Sequence, residues 1–345
     1  MDIVIRTEGR AGRMTLNRPK ALNALTADML VAAEQALDAW RKDDTVEVVI
    51  IDALGDKAFS AGGDIADLYA QGIAGNHQFG RDFWRQEYRL NLKVATYPKP
   101  VVVFMQGFTM GGGVGLACHA SHRIVGETSQ VAMPECGIGL IPDVGGSFLL
   151  ARGPGAVGAY LGLTGTRMNA ADAIYATFAD VFVPEAAWDT LKTGLIDTAD
   201  LAAIDAAKAP ADGGSLAGLQ DQIDTHFDHS DLGQIAIGLD ATDSAFSAST
   251  IKRLAKGSPL AQACGLQAIR AAKGGDIATA LRREYRFTSR ATEQGDFLEG
   301  IRAQIIDRDF APKWLHTTKD VPQVDIDKMM APLGADDWTM AEDHT

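Results

Sequence analysis

KPVVVFMQGFTMGGGVGLA, residues 99–117, decides how this chain folds. Its first part, Pro100–Gln106 (PVVVFMQ), is a β-branched and aromatic run without polar alternation. That is the pattern of a strand buried on both faces of a parallel sheet. Its second part, GFTMGGGVGLA at Gly107–Ala117, turns through glycines into a helix. Strand, glycine-rich turn and helix form the unit in which α/β proteins gather ligands, because strands end there and helix N–H groups point outward. The same order occurs upstream. Val46–Ile51 (VEVVII) reads as a buried strand, and GDKAFSAGGDI at Gly55–Ile65 follows it into another helix. Glycines could serve only as tight turns in one such loop; two loops, each after a sheet strand, shift the reading toward a site with paired N–H donors.

Working outward, Asp2–Arg6 and Arg13–Leu16 read as short strands and Arg123–Val125 as a weaker one. Thr26 caps a helix running to about Arg41, with Leu30, Ala33, Leu37 and Trp40 on one face. The alternation predicts an α/β protein with a parallel sheet. Beyond about residue 150 the strand signal nearly vanishes. Ala156–Leu163, Ala170–Tyr175, Glu185–Leu191 and Ser258–Arg270 read as helices. The expected division is a catalytic core over 1–185 and a mainly helical region over 186–345. Asp197–Gly218, rich in Ala, Asp and Gly, is expected to contain a mobile connection, and the acidic tail after Gly334 to be frayed.

The 345 residues are 46% hydrophobic and 22% charged, which is globular composition with room for about two domains. Lys plus Arg number 32 against 45 Asp plus Glu, a formal charge of −13. That balance repels a phosphate backbone and argues against nucleic acid as a partner. No apolar run reaches the ~18 residues of a membrane span, and MDIVIRTEGRAGRMTLNRP lacks the apolar core of a signal peptide. Cys118, Cys136 and Cys264 form no CxxC pair, which points to a reducing, cytoplasmic compartment and to no metal. His226 and His229 have helical spacing but no third ligand, and His119 and His122 suit packing or capping. GPGAVG at Gly153–Gly158 matches the dinucleotide fingerprint only formally; it reads as a turn between helices.

QVAMPECGIGLIPDVGGSFLL, residues 130–150, carries the chemistry. Glu135 and Asp143 sit among Met, Pro, Ile, Leu and Val. Acids are seldom placed there for packing, and burial suits a carboxyl to proton transfer near neutral pH. Taken singly, Asp143 suits a helix N-cap and Glu135 a solvated turn. As a pair following two glycine-rich loops they favour catalysis. Glu87, in RDFWRQEYRLN, belongs by spacing to a solvated helix face.

These pieces resemble the crotonase, or enoyl-CoA hydratase/isomerase, superfamily. The matching segments are NRPKALNAL at Asn17–Leu25, KAFSAGGDI at Lys57–Ile65, residues 99–117 and MPECGIGLIPDVGG at Met133–Gly146. The resemblance implies a crotonase-like β/α spiral core with a C-terminal helical region, and an acyl-CoA thioester as substrate. It puts the thioester oxygen between the N–H groups of Gly63 and Gly112. It puts Lys20, Lys57 and Ala61 against the CoA nucleotide, with Asp64 beside them in the substrate site. A hydratase of the family carries an acid where this chain has Gly115, whereas its second acid corresponds to Glu135. Asp143, the RQEYRLN helix, LRREYRFTSRA at Leu281–Ala291 and DFLEGIRAQIIDRDFAPKW at Asp296–Trp314 are similar to the 3-hydroxyisobutyryl-CoA hydrolase branch. That branch implies Glu135 and Asp143 as catalytic residues and Glu87 as a substrate-site residue. It implies no metal or redox cofactor, CoA being part of the substrate, and is compatible with a homo-oligomer. Whether Glu135 activates water or attacks the carbonyl stays open at this level.

Overall fold

The protein's structure, a computed structural model, describes residues 1–339. In chain order its strands are β1 (Ile3–Glu8), β2 (Ala11–Leu16), β3 (Val48–Ala53), β4 (Ala58–Ser60), β5 (Val101–Met105), β6 (Phe108–Met110), β7 (His122–Val125), β8 (Gln130–Ala132) and β9 (Val181–Phe182). Six of them form one sheet in the order β1-β2-β3-β5-β7-β9, and β4-β6-β8 form a second. Among these named strands β1 and β2 pair antiparallel and the other ladders are parallel. The apolar runs become β3 and β5, each shifted slightly from its sequence reading.

The smaller sheet went unread because β4 and β6 are three residues long and lie inside the two glycine-rich segments. Their pairing, Ala58 with Phe108 and Ser60 with Thr109, brings the two segments side by side.

The chain divides into two compact units assembled from interleaved segments. One comprises 1–63, 89–132 and 167–217; the other comprises 64–88, 133–166 and the described residues from 218 onward. In the first unit Val48, Ile50, Val102, Phe104 and Ile124 point from one face of the large sheet into a core closed by Trp188, Leu191 and Leu195. The alternation along β3 and β5 is the two-residue period of a pleated strand. The helix Ala27–Arg41, capped by Thr26 as expected, buries Met29, Leu30, Ala33, Leu37 and Trp40. Trp40 lies so close over Gly12 that a Cβ there would sit 2.4 Å from the ring.

The second unit is helical. Its spine is Pro259–Ala272, buried along most of its length from Leu260 to Ala272, and Ile277–Gln294, whose buried stripe includes Ile277, Leu281, Glu284, Thr288 and Ala291. Trp84 packs on Phe297 with ring centres 5.6 Å apart, and Tyr88 meets Tyr285 edge-on at 6.3 Å.

Two expectations need correction. The tail after Gly334 is docked as far as it is described: Arg286 pairs with Asp337 at 2.7 Å and Trp338 is 1% exposed. The remaining tail, 340–345, lies outside the described residues. Asp197–Gly218 is anchored rather than a bare connection. Ala202–Ala207 is helical, and the Asp172 carboxylate accepts the N–H groups of Ser215 (2.7 Å) and Leu216 (2.8 Å). His226 lies within the helix Leu216–Phe227, stacked on Phe246. The Gly153–Gly158 segment does join two helices, Gly146–Ala151 and Val157–Thr164. No described helix is long and apolar enough to cross a membrane.

Candidate active site

The first unit holds the loops that carry Gly63 and Gly112. Gly112 opens the helix Gly112–Ala117, so its N–H is among the first-turn donors with no intrahelical acceptor. Gly111 precedes it at φ +50°, and Gly62, before Gly63, is at φ +106°. Both values lie where a side chain is disfavoured. A Cβ on Gly62 would sit 3.4 Å from Gly112 N, so the two loops approach within backbone contact.

A small polar network holds that approach. Asn23, 1% exposed and at φ +54°, donates to Leu54 O (3.0 Å) and Ala58 O (2.9 Å). Ser60 Oγ donates to Asn23 O (2.9 Å) and accepts from Gly62 N (3.2 Å). Leu25 N–H closes on Gly62 O at 2.8 Å. Asn23 and Ser60 were passed over in the sequence, although each lies inside a quoted segment; a buried Asn is recognised only when its partners are in place. Lys20, Lys57 and Ala61 are exposed, and Asp64 is half-buried at the start of the helix Ile65–Ile73.

Within the second unit lie four carboxylates, Glu87, Glu135, Asp143 and Glu284, none more than 5% exposed. Glu135 opens the short 3-10 turn Glu135–Ile138 after Pro134. The turn is pinned by Ser258 N donating to Cys136 O (2.8 Å) and by Gly300, where a Cβ would lie 2.3 Å from Ile138 O. Asp143 follows Pro142 and accepts from the Tyr88 hydroxyl at 2.8 Å. Glu87 lies one residue before Tyr88 on the helix His77–Ala95. Glu284 accepts from Gly145 N (2.7 Å), Ser147 N (2.9 Å) and the Ser147 hydroxyl.

Glu87 Oε1 and Glu135 Oε2 have no hydrogen-bond partner among the described residues. A buried unpaired oxygen is costly and marks a place where a ligand or a proton belongs. Burial, then the Asp143 charge, then Glu87 and Glu284 hold the Glu135 carboxyl well above the usual range. Burial and Asp143 do the same to Glu87. Burial raises Asp143 to about 7 against the opposing Tyr88 bond, and raises Glu284 to about 8 despite its three donors. Like charges confined together keep some of their protons at neutral pH, the condition for acid and base work in one place.

Two local readings change. Glu87 is 3% exposed rather than on a solvated face. It lies four residues after Phe83 and three after Trp84, both buried, so the apolar stripe of its helix runs through it. Asp143 is not the cap of the following helix. Gly145 occupies the N-cap position of Gly146–Ala151; Gly146 N donates to the Asp143 backbone carbonyl, and the side chain that accepts Gly145 N and Ser147 N is Glu284, 139 residues downstream of Gly145. Glu284, Tyr88 and Thr288 were missed. The legible signal for Glu284 was an acid on a stripe otherwise made of Ile277, Leu281, Phe287 and Ala291.

The profile of the enoyl-CoA hydratase/isomerase family matches residues 11–330. The mitochondrial 3-hydroxyisobutyryl-CoA hydrolase of Danio rerio is 37% identical over 96% of this chain and 90% of that protein. The Homo sapiens protein of the same name is 33% identical over 97% and 90%. A solved enoyl-CoA hydratase from Rhodobacter sphaeroides 2.4.1 is 52% identical with a TM-score of 0.94, covering 98% of this chain and 100% of that one. A carnitinyl-CoA dehydratase from Mycobacterium thermoresistibile is 37% identical with a TM-score of 0.93, covering 99% of each. The chain therefore belongs to the enoyl-CoA hydratase/isomerase family and has its crotonase-like α/β core with a helical C-terminal region.

Proposed function

We propose that this protein hydrolyses a 3-hydroxyacyl-CoA thioester, 3-hydroxyisobutyryl-CoA, to 3-hydroxyisobutyrate and CoA. The carrying observation is the acid set. Glu135 offers an unpartnered buried carboxylate oxygen and Asp143 a second raised carboxyl, whereas Gly115 has no side chain where a hydratase of the family has its first acid. Adding water across a double bond needs two placed acid–base groups; cleaving a thioester needs an oxyanion site, a base or nucleophile, and a proton for the thiol. The relatives named as hydrolases, aligned over nearly the whole chain, support the same reading.

In this reading the Gly63 and Gly112 N–H groups stabilise the oxygen as the carbonyl becomes tetrahedral. Ionised Glu135 takes a proton from water as the water oxygen bonds to the carbonyl carbon. Collapse breaks the C–S bond, and the departing thiolate takes a proton held by the carboxyl cluster. Direct attack by Glu135, giving an anhydride that water then opens, uses the same groups. Asp143 orients water or returns the proton, and Glu87 accepts the substrate hydroxyl. Lys20 and Lys57, both exposed, are placed on the CoA phosphates, with Ala61 and Asp64 beside them. The same proposal includes a reducing, cytoplasmic setting and a homo-oligomer, the latter supported by exposed Ile305, Ile306, Phe310 and Leu315.

The second reading, hydration of an enoyl-CoA, is favoured by the name of the solved relative at 52% identity. Thiol release from 3-hydroxyisobutyryl-CoA, measured beside hydration of crotonyl-CoA, separates the two. Rapid CoA release with little hydration is expected. Fast hydration with the thioester left intact would overturn the proposal.

A further inference from the structure

The loop after Asp143 adopts a conformation that its own residues do not favour. Val144, a β-branched residue, is at φ +54°, and Gly145 follows at φ +76°. Two left-handed residues in succession, one of them valine, persist only when the surroundings hold them. The turn is closed locally by Gly146 N donating to Asp143 O at 2.6 Å, and Glu284 braces it from a distant helix. Its Oε2 accepts Gly145 N at 2.7 Å, and its Oε1 accepts Ser147 N at 2.9 Å and the Ser147 hydroxyl. The carboxylate thus takes up the N–H of Gly145, the second residue of the strained pair, and that of Ser147 beyond it, and the side chain is fully buried.

The same helix supports Asp143 by a second route. One turn beyond Glu284, Thr288 Oγ1 lies 3.3 Å from the Tyr88 hydroxyl, which donates to Asp143 Oδ2 at 2.8 Å. The i, i+4 pair Glu284 and Thr288 therefore acts on Asp143 by two indirect routes, the turn that follows it and the tyrosine bonded to it. Glu284 acts through the backbone that follows it, and Thr288 through the tyrosine bonded to its carboxylate.

A carboxylate in a fully buried site is an expensive way to cap a six-residue helix, since a Ser or Asn N-cap side chain commonly satisfies a first-turn donor such as Ser147 N locally. We infer that Glu284 is a positioning residue for the reaction, holding the Val144–Gly145 turn so that Asp143 keeps its carboxylate on Tyr88. This rests on the thioesterase reading for the role of Asp143, and the geometry is independent of it.

Glu284→Gln is the test, because it keeps size and one acceptor but presents an amide N–H to one of the donors. The expected result is kcat for 3-hydroxyisobutyryl-CoA lowered about tenfold or more with KM within about threefold of wild type. A purely structural role predicts activity lost in proportion to folded protein. A thermal-melt cycle combining Glu284→Gln with Asp143→Asn reads the coupling without any assay. The double variant should depart from the summed single shifts by about 1 °C or more. Absence of thioesterase activity in the wild type would sink the functional reading and leave this cycle to be judged by itself. A folded Glu284→Gln enzyme with wild-type kcat, or an additive cycle, overturns the assignment. If Glu284→Gln does not fold, Ser147→Ala deletes one of the three bonds and leaves the charge. It should lower kcat about threefold at constant KM, and an unchanged kcat would overturn the inference.

Discussion

The glycine loops of the first unit and the carboxylate cluster of the second solve opposite problems. The loops Ala61–Gly63 and Gly111–Gly112 dispense with side chains at their glycines, so that the two backbone segments approach closely. They carry no formal charge on the donors, and their cost is backbone strain absorbed by glycine. The cluster gathers Glu87, Glu135, Asp143 and Glu284 in a buried setting, each of them pushed up in pKa by that burial. Its cost is electrostatic. A backbone donor pair should therefore be insensitive to pH and intolerant of side chains, whereas the cluster should tolerate isosteric change in fold but not in rate.

The largest effect expected is Glu135→Gln. The amide keeps the shape of the turn and removes the base, so turnover should fall about 10³-fold while CoA-ester binding stays near wild type. Retention of more than about a tenth of the rate, a loss under about 1.4 kcal/mol, would take Glu135 out of the chemistry and leave the loops as the main catalytic element. Gly112→Pro attacks the other region by deleting one backbone donor. A fall of about 10²-fold in kcat is expected, larger than any change in melting temperature explains. Activity that tracks the folded fraction would instead mean that the glycines serve only to let the loops pack.

The subtlest prediction concerns stability. In the folded chain the Asp143 carboxyl is raised to about 7, above its unfolded value of ~3.9. The folded state therefore binds the proton more tightly. Its stability contribution is intact at low pH and declines as pH rises from the unfolded value toward the folded one. Asp143→Asn removes the decline and leaves an oxygen for Tyr88. Its melting temperature, taken relative to wild type, should be more favourable at pH 8 than at pH 5. A difference that is flat or reversed between those pH values would show that the cluster is less desolvated than its burial implies.

The contrast also explains what could be read in advance. The glycine loops were visible because backbone chemistry is written locally: a β-branched run, several glycines and a helix occupy about 20 consecutive positions in each segment. Glu135 and Asp143 were visible because acids in an apolar neighbourhood are conspicuous. Glu87 was misread from spacing, since a charged residue beside Arg85, Gln86 and Arg89 looks solvated until the buried stripe of Phe83, Trp84 and Tyr88 is traced through it.

By itself the sequence determined the α/β alternation, the helical second half and the identity of the two loops, because periodicity and glycine placement are properties of neighbours in the chain. Tertiary structure alone decided which distant residues complete the site. Tyr88 reaches Asp143 across 55 positions, and Glu284 reaches Gly145 across 139. A hydrogen bond of that range has no local signature, because it forms only after packing has brought two helices and a loop together and excluded the water that would otherwise compete for the carboxylate.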